Sequence, residues 1–152
     1  MTVKVSELMT VGIITSSSRQ TVGHAKKKMK RRKISFMPVV DPKGVPKGVI
    51  SMRDLVAHEK NATPVSNLMT KRVYTIPSYE NVEVAARMMR NHKIHHLIIT
   101  HEKKAVGVLS SFDLLELIVG KRFGVKKSGT QTSKSRGKRK YTYVQVSKIT
   151  KG

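Results

Sequence analysis

The sequence predicts an α/β protein made of two copies of one strand-helix-strand-strand-helix unit, followed by a basic extension. Three observations support this prediction: an internal repeat fills residues 1–120, the hydrophobic periodicity changes in the same order in both copies, and the last 32 residues contain no acidic side chain. A repeat must be identified first because missing it assigns the wrong fold. We expect repeat 1 over residues 3–60, repeat 2 over residues 61–122 and a basic arm over residues 123–152.

The repeat is visible at two nearly equal offsets. At an offset of 60, Val-Ser-Glu-Leu-Met-Thr at residues 5–10 returns as Val-Ser-Asn-Leu-Met-Thr at residues 65–70. At an offset of 59, Gly48-Val49-Ile50-Ser51 aligns with Gly107-Val108-Leu109-Ser110, and Asp54 aligns with Asp113. A unit of this length is small for a stable core of its own, so we expect the two copies to pack together.

Each unit begins with a predicted strand and an amphipathic helix. The strands are Ile13–Thr15 and Val73–Thr75, which are short and apolar or β-branched. In repeat 1, Val22, Ala25 and Met29 then follow at the i, i+3, i+7 spacing of one helix face.

Each unit ends with two further strands and a short helix. The apolar segments 36–40 and 96–100 have the length of buried strands, and in repeat 1 a turn at residues 41–44 follows. Residues 48–51 predict the third strand, and a short helix begins near Met52.

The charge is unevenly distributed along the chain. The 152 residues include 31 Lys and Arg against 9 Asp and Glu, a formal charge of +22. Residues 61–120 carry 7 basic and 5 acidic side chains, so the excess lies in residues 1–60 and in the arm. Such clustering predicts a polyanionic partner, although a solvated surface is the alternative.

Several classes of protein are excluded or disfavoured. There is no Cys, which excludes a disulfide framework and a thiolate metal site. No apolar run has the length of a membrane span, so we expect a cytoplasmic protein without membrane contact. His92, His95 and His96 have no acidic or Cys partner at a coordinating spacing, and no metal site is predicted.

Two basic elements are candidates for binding RNA or the ribosome. One is the first helix and its end, and the other is the arm, where two Tyr residues are interleaved with basic residues and could stack on unpaired bases. The segment 141–149 could instead add a strand to a sheet edge. The candidate residues are Lys26, Lys27, Lys28, Lys30, Arg31, Arg32, Lys33, Lys126, Lys127, Lys134, Arg136, Lys138, Arg139, Lys140, Tyr141 and Tyr143.

The ordered set of motifs resembles the CBS-domain family, and the pair of units resembles a tandem CBS module over residues 3–120. The motifs are the Leu-Met-Thr openings, Met37-Pro38-Val39-Val40-Asp41 and both Gly-x-x-Ser-x-x-Asp-Leu endings. The resemblance implies two clefts for adenosine compounds such as AMP, ADP, ATP or S-adenosylmethionine. It also implies association into a homodimer and a sensing role without catalysis.

The same resemblance assigns site residues. It implies that Asp54 and Asp113 accept hydrogen bonds from ribose hydroxyls and that Ser51 and Ser110 reach ribose or phosphate. It places the adenine against the backbone of Ile13, Ile14 and Thr15 in one cleft and of Val73, Tyr74 and Thr75 in the other, with His96 near phosphate. Ser-x-x-Asp is also the pattern of a helix capping box, and the two roles can coexist.

Two functional hypotheses follow from these features. In the first, an adenine-nucleotide sensor binds RNA, most plausibly the ribosome, through the basic helix and arm. In the second, the sensor is a regulatory subunit that controls a separate enzyme or transporter through protein contacts.

Overall fold

A computed structural model describes residues 2–119 and the backbone of residues 126–127. The N-terminal half begins with a short helix and a two-residue strand, and then forms a helix, a hairpin and a second short helix. These elements are α1 (Val5–Leu8), β1 (Thr10–Val11), α2 (Val22–Arg32), β2 (Phe36–Val40), β3 (Pro46–Ser51) and α3 (Met52–Val56).

The second half follows the same plan, with a 3-10 helix in place of α1 and an isolated bridge at Thr70 in place of β1. Its elements are the 3-10 helix (Val65–Asn67), β4 (Thr75–Pro77), α4 (Val82–His92), β5 (His96–His101), β6 (Lys104–Ser110) and α5 (Ser111–Val119). The last described element is β7 (Lys126–Lys127), which pairs in parallel with β1. The fold is the predicted α/β pair of units.

The two long helices follow the predicted periodicity and end in the same way. Val22, Ala25 and Met29 are buried in α2, and Val82, Ala85 and Met89 are buried in α4. Both helices stop at a Lys in the left-handed region, Lys33 and Lys93, each with a φ of 53°. A left-handed residue ends a helix because its amide turns back to the last carbonyls, and both lysine amides do so.

The opening segment of each unit packs on the other unit. β1 pairs with β6 of repeat 2 through Thr10 and Val108, and Thr70 forms an isolated bridge with Val49 of repeat 1. These two pairings occupy equivalent places in the two units. They make a reciprocal exchange, in which the opening segment of each unit pairs with a strand of the other unit.

The exchange determines the composition of both cores. The core of repeat 2 contains Val5, Leu8 and Met9 from the start of the chain. The core of repeat 1 contains Val65, with Leu68 and Met69 packed against it. Neither core is complete without residues from the other unit, as expected for units too small to stand alone.

Two strand predictions were wrong in position. Ile13–Thr15 forms no regular strand, and the second predicted strand, Val73–Thr75, is replaced by β4 at Thr75–Pro77. Ser16 forms an isolated parallel bridge with Val39, which is the equivalent of the β4 and β5 pairing in repeat 2. The apolar residues before these bridges are instead used to line clefts. The predicted strand-like segment 141–149 lies outside the described residues.

Glycines 48 and 107 allow the exchanged segments to approach the sheets. A Cβ at Gly48 would lie 2.6 Å from Met69 Sδ and 3.1 Å from the carbonyl oxygen of Thr70. A Cβ at Gly107 would lie 2.6 Å from Met9 Sδ and 3.0 Å from the carbonyl oxygen of Thr10. Side chains at these positions would force the exchanged segments away.

Gly48→Ala should therefore lower the free energy of unfolding by about 1–3 kcal/mol, the range for overpacking. Urea denaturation measures this loss, and Gly107→Ala is an independent replicate at the equivalent position. The double variant Gly48→Ala/Met69→Ala should lose less stability than the sum of the single variants, because the shortened side chain leaves room for the methyl group. Strictly additive losses would contradict the close contact.

Candidate functional site

A cleft between the two repeats, named cleft 1 here, has a volume of roughly 250 Å³. Repeat 1 forms one wall, with β1, the segment that follows it, and the loop and strand after α2. Repeat 2 forms the other wall, with β6, the start of β5 and the start of α5. Its lining residues are Thr10, Ile13, Ile14, Lys33, Ile34, Ser35, Phe36, Pro38, His96, Val108, Ser110 and Asp113. Apolar side chains thus face a small number of polar groups, as in most small-molecule sites.

Ser110 and Asp113 form a capping box at the start of α5 inside cleft 1. Asp113 Oδ2 accepts hydrogen bonds from Ser110 N at 2.8 Å and from Ser110 Oγ at 2.7 Å, while Asp113 N donates to Ser110 Oγ at 3.1 Å. A carboxylate can accept about four hydrogen bonds. Capping by Asp113 and hydrogen bonding to a ligand are therefore compatible roles.

Ser51 and Asp54 form the equivalent capping box at the start of α3. Asp54 Oδ2 accepts from Ser51 Oγ at 2.6 Å and from Ser51 N at 3.2 Å. The surroundings differ, because the Asp54 side chain is exposed whereas Asp113 is half-buried. The two carboxylates have the same local geometry and different access to a cleft.

A second cleft between the repeats, named cleft 2 here, has a volume of roughly 320 Å³. It is the pseudo-symmetric counterpart of cleft 1, since Thr70, Val49 and Ile94 replace Thr10, Val108 and Ile34. Within the described part of the chain its lining contains no carboxylate, and neither Ser51 nor Asp54 belongs to it. The lining residues are Phe36, Val49, Thr70, Arg72, Tyr74, Ile94, His95 and His96.

Phe36 and His96 form a stacked pair that both clefts share. Their ring centroids are 4.5 Å apart and the ring planes differ by 7°. The two residues occupy equivalent positions at the start of β2 and β5 and line both clefts. The stack is therefore a common wall, and the difference between its two members is one source of asymmetry between the clefts.

The environment of His96 disfavours its charged form. Burial lowers the pKa of His96, and the neighbouring His95 lowers it further, while Asp113 opposes both effects. Burial has this effect because a charged imidazolium loses hydration in a cleft wall. His96 thus offers a neutral ring at pH 7, able to stack and to hydrogen-bond.

The predicted nucleotide residues are only partly brought together. Five of them, Ile13, Ile14, His96, Ser110 and Asp113, meet in cleft 1. Tyr74 lines cleft 2, where its ring also contacts His92 at 4.4 Å between centroids. Val73 and Thr75 line another groove, and Thr15 presents its carbonyl oxygen to Lys28 Nζ at 2.7 Å.

Sequence reasoning missed four lining residues of interest. Thr10 and Val108 reach cleft 1 through the exchanged strand pairing. Lys33 reaches cleft 1 from the end of α2, and Arg72 lines cleft 2 at the position equivalent to Gly12. The repeated Leu-Met-Thr motif signalled that these openings were important, but it did not indicate which unit each would contact.

The basic residues of α2 have different surroundings. Lys26 Nζ donates to the carbonyl oxygen of His58 at 2.7 Å and to Asn61 Oδ1 at 3.2 Å, and Lys28 is held by Thr15 as described above. Lys27, Lys30, Arg31, Arg32 and Lys33 are exposed. The basic surface predicted on α2 is therefore smaller in the folded chain than in the sequence, because two of its lysines donate hydrogen bonds to neighbouring loops.

The other predicted nucleic-acid residues lie at or beyond the limit of the described chain. The backbones of Lys126 and Lys127 form β7, and the candidates from Lys134 to Tyr143 lie outside the described residues. Among the described residues, no cluster of three or more His, Asp and Glu side chains could hold a metal ion. No helix in the same part of the chain has both the length and the hydropathy needed to cross a bilayer.

Comparison with known proteins finds relatives whose sequences align with most of this chain. YhcV, a CBS domain-containing protein of Bacillus subtilis (strain 168), is 30% identical over 115 residues, which are 72% of this chain and 81% of YhcV. MJ0188 of Methanocaldococcus jannaschii is 34% identical over 118 residues, 76% of this chain and 44% of that protein. The chain thus spans less than half of the second relative.

Solved structures share the fold. The CBS domain pair of MJ0100, in complex with 5-methylthioadenosine and S-adenosyl-L-methionine, has a TM-score of 0.71 at 25% identity, covering 79% of this chain and 98% of that one. The cytosolic domain of the Mg2+ channel MgtE, in complex with ATP, has a TM-score of 0.67 at 28% identity, covering 72% of this chain and 46% of that one.

The sequence model of the CBS domain matches the chain twice, over residues 5–61 and over residues 65–120. These two matches cover most of the chain and coincide with the two structural units. The chain belongs to the CBS domain family, as a tandem CBS pair.

Proposed function

We propose that this protein is a non-catalytic regulatory module that binds an adenosine compound in cleft 1 and controls a separate protein through direct contacts. The observation that carries the proposal is the half-buried Asp113 beside Ser110 in an apolar cleft between the two repeats. A carboxylate suits the vicinal diol of a ribose, and the apolar walls suit an adenine ring. Relatives of known structure bind ATP, 5-methylthioadenosine and S-adenosylmethionine.

The two clefts differ in their suitability for a ribose. Cleft 1 offers Asp113, whereas the described lining of cleft 2 offers Arg72, His95 and His96 without a carboxylate. We therefore assign adenosine binding to cleft 1. The sites predicted at Ser51 and Asp54 are assigned to helix capping only.

The partner is a protein in this proposal, because two lysines of the basic helix are engaged in hydrogen bonds within the fold. RNA or ribosome binding has no support among the relatives and stays a prediction. Co-sedimentation with ribosomes at low and high salt would test it, since phosphate contacts weaken steeply with salt. The cytoplasmic location and the domain limits at residues 60 and 122 also stay predictions.

Self-association uses the outer face of α5. Phe112, Leu115, Ile118 and Val119 are 51–82% exposed, and Val56 of α3, the equivalent of Leu115, is 68% exposed. α5 lies within residues 61–120, which carry 7 basic and 5 acidic side chains, so this part of a second copy adds little charge repulsion at the interface. We propose a homodimer in which the α5 faces of two copies pack against each other.

Asp113→Ala should reduce the affinity for AMP at least about tenfold, because a hydrogen bond to a charged group contributes roughly 1.5–3 kcal/mol. Asp54→Ala is the matched control, since it removes the same capping box outside a cleft. Both variants should lose a similar amount of stability, on the order of 1 kcal/mol. Isothermal titration calorimetry and thermal unfolding measure the two effects; equal affinities for the two variants would overturn the assignment.

Leu115→Glu should convert the dimer into a monomer, because it places a carboxylate in the centre of the packed apolar face. Light scattering after size-exclusion chromatography measures the mass. Tyr79→Glu is the control, since Tyr79 is a similarly exposed apolar residue away from α5. A wild-type monomer, or a variant that stays dimeric, would contradict the proposed interface.

His96 should make the free energy of unfolding fall as the pH drops below about 6.5, the ordinary pKa of the side chain. The unfolded chain then binds a proton that the folded chain resists, because the folded pKa is lowered. The slope should stay below the one-proton limit of about 1.4 kcal/mol per pH unit, since His96 is partly exposed. His96→Phe, which copies the residue at position 36, should remove this component. An unchanged slope in urea titrations would refute the effect.

A further inference from the structure

Lys33 ends α2 and is an exposed residue of the lining of cleft 1. Its backbone has a φ of 53° and a ψ of 44°, and its amide donates to the carbonyl oxygens of Lys30 and Met29. Gly is the usual residue in this left-handed position because a Cβ is disfavoured there. The fold therefore places an exposed lysine, at the C-terminal end of α2, in the lining of cleft 1.

The positive charge near cleft 1 is concentrated at the C-terminal end of α2. The described lining of the cleft contains one lysine, Lys33, and one carboxylate, Asp113. α2 has no acidic residue in its first turn and has Lys30, Arg31 and Arg32 in its last turn, immediately before Lys33. Residues 1–60 carry 13 basic and 4 acidic side chains. The basic last turn of α2 adds to the charge of Lys33, so the Lys33 side of cleft 1 attracts anions.

Adenosine compounds differ in the charge they would bring into this field. Adenosine is neutral, AMP carries a phosphate with up to two negative charges, and S-adenosylmethionine carries a sulfonium cation close to its ribose. Asp113 suits the ribose hydroxyls that all three share. Lys33 distinguishes them, because an ammonium group attracts a phosphate and repels a sulfonium.

We infer that cleft 1 selects adenosine phosphates over adenosine and over S-adenosylmethionine, with Lys33 as the side chain that makes the selection. This inference rests on the proposed function, since it requires an adenosine compound in cleft 1. It assigns to the nucleotide site a residue, Lys33, that the sequence predicted as part of an RNA-binding surface. The attraction between the Lys33 ammonium group and the phosphate is ionic, so the preference for AMP over adenosine decreases as salt is added.

The test compares Lys33→Met with Lys93→Met in the full chain. The two lysines end α2 and α4 with the same φ and the same pattern of amide hydrogen bonds, but Lys93 lines a groove on α4 and α5 instead of cleft 1. Both substitutions change the cap and the net charge equally. Calorimetry with AMP, adenosine, S-adenosylmethionine and inorganic phosphate, at low and high salt, gives the affinities.

The wild type should bind AMP at least about tenfold more tightly than adenosine, as expected for a charge-assisted contact. Lys33→Met should lose at least about fivefold in affinity for AMP and leave adenosine within about twofold, whereas Lys93→Met should change neither. Inorganic phosphate should bind far more weakly than AMP. This set of results would support the inference.

Other outcomes overturn it in distinguishable ways. Equal affinities for AMP, adenosine and S-adenosylmethionine would refute the selection by charge and leave the proposed function intact. Equal losses of AMP affinity in the two lysine variants, or loss of adenosine binding in Lys33→Met, would show that Lys33 acts through the fold or the net charge. Failure of all three adenosine compounds to bind would refute the proposed function together with the inference.

Discussion

The reciprocal exchange of the two Leu-Met-Thr segments determines both the cores and the clefts of this protein. Thr10 reaches the wall of cleft 1 because β1 pairs with β6, and Thr70 reaches cleft 2 because it bridges Val49. The close approach requires glycine at positions 48 and 107. Each cleft is therefore a product of both repeats, and a change that separates the units would remove the binding surfaces before it altered any site residue.

The two repeats share one arrangement of elements but have different side chains at equivalent positions of the clefts. At equivalent positions, Ser35 and Phe36 of repeat 1 are replaced by His95 and His96 of repeat 2, and the helix and the hairpin around them follow in the same order. The stacked Phe36 and His96 rings form a wall common to both clefts. Because Phe36 has no hydrogen-bonding group and the neutral imidazole of His96 has a donor and an acceptor, a ligand meets different chemistry beside each ring.

The elements predicted with correct positions were those determined by local pattern. α2 and β2 follow from continuous apolar periodicity, and the capping box at Ser110 follows from spacing alone. The strand predicted at Ile13–Thr15 failed because the segment's single bridge, at Ser16, depends on a distant partner. Which carboxylate faces a cleft was not predictable either, since the two Ser-x-x-Asp motifs are alike in sequence and differ only in tertiary surroundings.

The basic character of α2 shows why net charge alone does not define a partner. A run of lysines in sequence is distributed around the helix every 3.6 residues, so neighbours in the chain face different surroundings. Lys26 and Lys28 donate to carbonyl oxygens of nearby loops, whereas Lys30, Arg31 and Lys33 are exposed, and Lys33 also lines cleft 1. Only the exposed members are available to a polyanion. Lys26 and Lys28 instead stabilise the fold, so the number of basic residues in the sequence overstates the charge that α2 presents to a polyanion.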